Sequence, residues 1–209
     1  MSHIDEVLIY DRPITADGIR WRDLQDWWKA AQGLDDDAVA KSTLYKRLGS
    51  ALPESSPPQR WLFQAYYEMH GDAVPDLPAL LPEDWLHWDP KTIKARGVRA
   101  LLQLRMDFLL LLPRGARIVL EVDGKSHYAV PDGEKQFKPD PATYARTVAG
   151  GRELTLAGYE VYRFGAIELG TPEQAYQTLL PFFTDLFRQH KVIAAAGDAG
   201  TRPTFGAVQ

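Results

Sequence analysis

Between Leu101 and Leu112 the chain is almost continuously apolar, broken only by Gln103, Arg105 and Asp107. After the Pro113-Arg114-Gly115 turn signal a second apolar run begins at Ile118 and ends at Asp123. Two short apolar runs around such a turn predict a β-hairpin, and runs without polar alternation predict strands covered on both faces. The rest of the chain must therefore supply helices to two faces. The expected fold class is α/β, a mixed central sheet flanked by helices.

The segments around the hairpin fit that requirement. From Trp21 to Ala31 and from Asp36 to Leu48, helix formers and apolar residues recur at three- and four-residue spacing, punctuated by Gly33 and Gly49. Pro53-Glu54-Ser55-Ser56-Pro57-Pro58 reads as a linker running into the first turn of a helix from Gln59 to His70. Pro75, Pro78, Pro82 and Pro90 forbid a long regular element in the next stretch and leave room for a short strand at Trp85 to Trp88. Tyr144 to Ala157 reads as a helix stopped by Gly158, Tyr159 to Phe164 as a strand, and Pro172 to His190 as an amphipathic closing helix. The expected organisation is a small helical N-terminal region at 1–55, a second domain at 56–190 and a flexible tail at 191–209.

Composition removes several chemistries. The chain of 209 residues has no cysteine, which excludes disulfides, zinc-thiolate sites and thiol nucleophiles and predicts a reducing compartment. The longest apolar run, Phe108 to Leu112, is far too short to cross a bilayer, and the first residues lack a basic signal-peptide flank. A soluble, cytoplasmic protein without a membrane partner is expected. The net charge of −4 argues against a generally basic nucleic-acid binder, although an enzyme that recruits divalent cations brings part of its positive charge as metal. Locally, Lys91, Lys94, Arg96, Arg99 and Arg105 precede the hairpin acids, and Lys125, Lys135 and Lys138 follow them.

Three acids interrupt these apolar strands, and a buried carboxylate needs a cation or a hydrogen-bond donor. Strand alternation puts Glu121 and Asp123 on one face and Leu120 and Val122 on the other. If the Arg105 to Leu111 stretch pairs with Ile118 to Asp123, Asp107 reaches the acidic face. Converging carboxylates suit a hard ion such as magnesium, which takes oxygen ligands and keeps several waters. Gly124 lets the backbone turn and brings Lys125 and His127 around the same point, where a lysine can orient an attacking water and a histidine can move a proton. Each residue alone has a structural reading: Asp107 as an ion pair to Arg105 or Arg163, Glu121 as a solvent-facing strand residue, His127 as a loop residue.

Arg105-Met106-Asp107-Phe108, then Ile118-Val119-Leu120-Glu121-Val122-Asp123-Gly124-Lys125-Ser126-His127, then Arg152 through Gly158 to Arg163-Phe164 follow one another in order. This progression resembles the restriction-endonuclease-like, or PD-(D/E)XK, nuclease superfamily, in its branch near the very-short-patch repair endonucleases. The resemblance covers roughly 56–190. It implies a mixed sheet flanked by helices, Mg2+ or Mn2+ as cofactor, and hydrolysis of phosphodiester bonds, with DNA favoured over RNA. It implies Asp107, Glu121 and Asp123 as metal ligands, Lys125 and His127 as accessory catalytic residues, and Arg105, Arg152 and Arg163 as contacts to nucleic acid, with a structural role equally open for Arg152 and Arg163. Two registers stay open, Glu121-x-Asp123 and Asp123-x-Lys125, the first favoured because strand geometry keeps 121 and 123 on one face. Met106 replaces the motif proline, and Gln59 stands where many relatives place a helix glutamate. By analogy, such small nucleases resemble prokaryotic genome-defence or abortive-infection effectors.

Other readings compete. Ser42 to Arg47, on the second N-terminal helix, fits the exposed half of a helix-turn-helix, although Asp35, Asp36 and Asp37 in the turn would repel phosphate. The N-terminal region is also open to a homodimer or partner-protein contact. A catalytically inactive nuclease-fold module that binds nucleic acid or protein is the main alternative to the enzyme. His87 and Asp89 are a weak metal pair, and the tryptophans are better read as core than as base-stacking platforms.

Overall fold

Helix starts fall where a side chain replaces a missing intrahelical bond or where a proline forfeits none. In the computed structural model, which describes residues 8–85, 105–132 and 137–192, α1 (Trp21–Ala31) opens with the Asp23 carboxylate accepting from the Arg20 N–H at 3.1 Å. Asp36 opens α2 (Asp37–Gly49) by accepting from the N–H groups of Ala38 and Val39 at 2.6 and 3.1 Å. Prolines occupy the first turns of α3 (Pro57–His70), α4 (Pro141–Leu156) and α5 (Pro172–Gln189). Asp140 and Thr171 cap the last two by accepting from Thr143 N–H at 2.8 Å and Gln174 N–H at 3.2 Å.

The sheet has four strands among the described residues, β1 (Leu81–Trp85), β2 (Arg105–Leu111), β3 (Arg117–Asp123) and β6 (Glu160–Gly165), in the order β1-β2-β3-β6. The first three are antiparallel neighbours, and β6 joins β3 in parallel through the α4 crossover. The architecture is mixed α/β, as the apolar hairpin predicted. A small antiparallel pair, β4 (Ala129–Pro131) and β5 (Phe137–Pro139), lies between β3 and α4 along the chain.

The two sheet faces are covered unequally. Phe108, Leu110, Ile118, Leu120, Val122 and Phe164 join Leu62, Phe63 and Tyr66 of α3 and Leu179, Phe183 and Phe187 of α5 in the main core. On the other face Leu109 and Val119 form a smaller cluster with Met106 and with Leu154 of α4. Strand alternation places Asp107, Glu121, Asp123 and Arg163 on this thinly covered face. The linker around Ser56 separates α2 from α3 along the chain, yet in space Trp21, Leu24, Trp28, Leu44 and Leu48 belong to the same buried core as the sheet. Backbone bonds from Ile19 N–H to Leu111 O at 3.2 Å and from Arg114 N–H to Ala16 O at 2.7 Å stitch the N-terminal segment to the hairpin.

Three local expectations need revision. The strand expected to begin at Trp85 begins at Leu81 and is described as far as Trp85, residues 86–88 lying outside the described residues; it tolerates Pro82 because it is at the edge of the described sheet. α4 begins at Pro141, three residues before the expected Tyr144, because Asp140 caps it. The helix half read as exposed in a helix-turn-helix is partly turned inward: Leu44 is buried, Tyr45 packs on Phe63 and Tyr67, and Thr43 accepts from Trp28 Nε1 at 3.0 Å. His87, Trp88, Asp89, Lys91, Lys94, Arg96, Arg99 and Lys135, and the tail beyond residue 192, lie outside the described residues. Among the described residues no helix is long and apolar enough to cross a membrane.

Candidate active site

The β2–β3 register pairs Phe108 with Leu120, so the next pair along the ladder sets Asp107 opposite Glu121. Asp107 Oδ2 accepts from the Val122 N–H at 2.8 Å. Both acids are buried, Asp107 to 9% and Glu121 to 6% exposure, so solvent cannot dissipate their charges. Burial first, and then the Asp107 charge, push the Glu121 carboxyl up to about 8, with Arg163 opposing the shift. Without a cation the fold thus keeps Glu121 protonated and does not carry both charges, a setting in which a bound cation would displace that proton.

Asp123 is differently placed. The parallel β3–β6 register brings Arg163 beside Glu121 and Gly165 beside Asp123. Arg163 donates to Asp123 from Nε at 2.8 Å and from Nη2 at 2.5 Å, a bidentate fork. Donating to the Asp123 carboxylate holds the guanidinium above its ordinary pKa. Asp123 Oδ1 also lies 3.1 Å from His127 Nδ1. Gly124 ends the strand, and the single 3-10 turn Lys125–His127 carries the histidine back over the sheet end. Thr147 of α4 anchors that turn by donating from Oγ1 to His127 O at 2.9 Å.

Among the described residues no three acids or histidines stand close enough to hold a metal ion as a set. Asp107 and Glu121 come together, while both oxygens of Asp123 are engaged by Arg163. Two carboxylates with retained waters are a sufficient protein contribution for magnesium, and the buried Asp107–Glu121 pair would supply them. Lys125 is exposed, its Nζ 5.4 Å from the Phe137 ring centroid. Arg152 is exposed on α4 and makes no ion pair among the described residues. Arg105 begins β2, and a phosphate contact from its side chain lies outside what is described.

Sequence reasoning missed the Arg163–Asp123 fork and the cleft beside it. The cleft, about 330 Å³, is lined by Asp123, His127, Arg163 and the Tyr128 and Tyr144 rings, with α4 as one wall. Part of the signal was present, an arginine within the predicted strand Tyr159 to Phe164, but its place beside the acidic strand comes only from the β3–β6 pairing. Compared with known proteins, the chain matches no family model, no curated protein and no solved structure.

Proposed function

We propose that the protein is a metal-dependent phosphodiester hydrolase, a nuclease with a restriction-endonuclease-like core and DNA as the favoured substrate. The observation that carries the reading is the buried Asp107–Glu121 pair on adjacent antiparallel strands, with Glu121 pushed up to about 8. The antiparallel hairpin, the α4 crossover and the parallel β6 support the fold assignment. Asp107 and Glu121 would hold Mg2+ or Mn2+. Bound there, the ion supplies Lewis-acid polarisation of a phosphoryl oxygen and a more acidic water.

The protein's own residues then divide the remaining work. Arg163 fixes Asp123, and Asp123 fixes His127 with Nδ1–H directed at the carboxylate. His127 Nε2 is left as the proton acceptor for the attacking water. Asp123, expected as a third metal ligand, thus becomes the residue that orients the base. Lys125 and Arg152, both exposed, are free to meet phosphates of the substrate.

Supercoiled plasmid, single-stranded DNA and RNA incubated with Mg2+, Mn2+ or chelator test the reading. The expected result is metal-dependent cleavage lost in Asp107→Ala and Asp123→Ala; activity surviving both substitutions would remove the site. A second reading, a nuclease-fold module that binds without cutting, is favoured by the engagement of both Asp123 oxygens. It requires binding without cleavage under every metal condition.

A further inference from the structure

We infer that the cleft between β3, the Lys125–His127 turn and α4 receives one unpaired nucleobase, which makes single-stranded or locally opened nucleic acid the substrate class of the proposed nuclease. The inference rests on the hydrolase reading for what happens next, but its evidence is separate. Tyr128 and Tyr144 line the cleft and are 46% and 59% exposed, far more open than the tyrosines of the core. Val148, also exposed, continues the apolar wall on α4. An aromatic ring open to solvent offers a stacking face to any base, and a base inside a duplex has no free face to offer.

The floor of the cleft carries the charge that a nucleotide needs. Arg163 spends Nε and Nη2 on Asp123, and its Nη1 points toward α4 at Gly151. A side-chain carbon built there would stand 3.8 Å from that nitrogen. Gly150 and Gly151 sit in the interior of a helix, where glycine is disfavoured, and at 151 the missing side chain keeps the cleft open beside the guanidinium. The Asp123 carboxylate in the wall is offset by Arg163 and faces His127, so a phosphate next to the stacked base meets cationic and hydrogen-bonding groups. Lys125 and Arg146, both exposed on the flanking elements, extend that character.

Fluorescence anisotropy with the full chain in chelator, using labelled single-stranded DNA, RNA of the same sequence and the DNA duplex, tests this. The expected result is tighter binding of a single strand than of the duplex. Tyr128→Ala and Tyr144→Ala should each weaken single-strand binding at least about fivefold, the low end for loss of one stacked base. Gly151→Leu, which fills the cleft with a better helix former, should do the same, and Tyr144→Phe should retain binding. Which single strand binds tighter assigns the cleft to DNA or RNA. Duplex binding as tight as single-strand binding, or single-strand binding unchanged in all three disruptive variants, would overturn the inference. Cleavage with Mn2+, measured in parallel, separates the two ideas: cutting without single-strand preference sinks the cleft alone, and tyrosine-dependent binding without cutting sinks the nuclease alone.

Discussion

Arg163 grips both oxygens of Asp123 across the parallel β3–β6 pair, and the same carboxylate meets His127 Nδ1 at 3.1 Å. A planar fork fixes a carboxylate in direction as well as position, which a lysine cannot do. Arg163→Lys is therefore expected to lower kcat for phosphodiester cleavage by about tenfold or more with little change in KM. The ion pair is about a third exposed on its arginine side, so its loss should lower stability by only roughly 1 kcal/mol. Steady-state cleavage kinetics beside urea denaturation check this; an unchanged kcat would remove the orienting role.

Glu121 should make the metal-free protein less stable as pH rises. Its carboxyl is pushed from an ordinary 4.5 up to about 8, by burial first and Asp107 second. Between those values the folded state holds a proton that the unfolded state has released. Stability is thus fully present below about pH 4.5 and declines as pH rises toward 8. Glu121→Gln should be the more stable protein at pH 9 in chelator, with the difference closing near pH 4.5. Identical pH profiles for the two proteins would contradict the buried-acid assignment.

His70 acts in the opposite direction. It packs against Tyr66, Phe187 and Phe183 with ring centroids at 5.0, 5.4 and 6.1 Å, where α3 meets α5. Burial pushes its pKa from 6.5 down to about 4, and its Nε2 lacks a hydrogen-bond partner among the described residues. The unfolded chain takes up a proton that the fold refuses, so this contribution is intact above pH 6.5 and is lost as pH falls toward 4. His70→Phe should lose less stability than the parent between pH 7 and pH 4.5 in guanidinium melts. Equal losses would place the acid sensitivity elsewhere.

The hairpin, the helices and the acidic face were legible because each rests on local pattern. Alternation alone put Glu121 and Asp123 opposite Leu120 and Val122, and Pro113-Arg114-Gly115 located the turn, where Arg114 and Gly115 adopt φ of 65° and 74°. The expected start of α4, Tyr144, falls three residues late, although Asp140-Pro141 carries the signal, a cap followed by a first-turn proline. What was not readable depends on strand order. The partner of Asp123 is 40 residues away, and only the parallel β3–β6 register selects Arg163. The β4–β5 pair has three residues per strand, too short for any periodicity to show. The union of the N-terminal helices with the sheet core likewise follows from tertiary packing, which a proline-rich linker conceals.

Gly18 tests that union. Its φ is +79°, and a Cβ there would lie 2.0 Å from Leu111 O on the hairpin. Gly18→Ala combines a disfavoured backbone with a backbone clash, and should cost roughly 2 to 3 kcal/mol. Because the segment is stitched to β2, thermal unfolding should remain one transition at a lower temperature. A variant that melts like the parent would show that the contact contributes nothing.

The most direct test is Mn2+ titration followed by electron paramagnetic resonance, on the parent protein and on Asp107→Asn, Glu121→Gln and Asp123→Asn, each checked for folding by circular dichroism. A metal site made by Asp107 and Glu121 requires one ion bound by the parent, binding lost in the first two variants and retained in the third. Binding that persists without Asp107 and Glu121, or a parent that binds no ion, would contradict it.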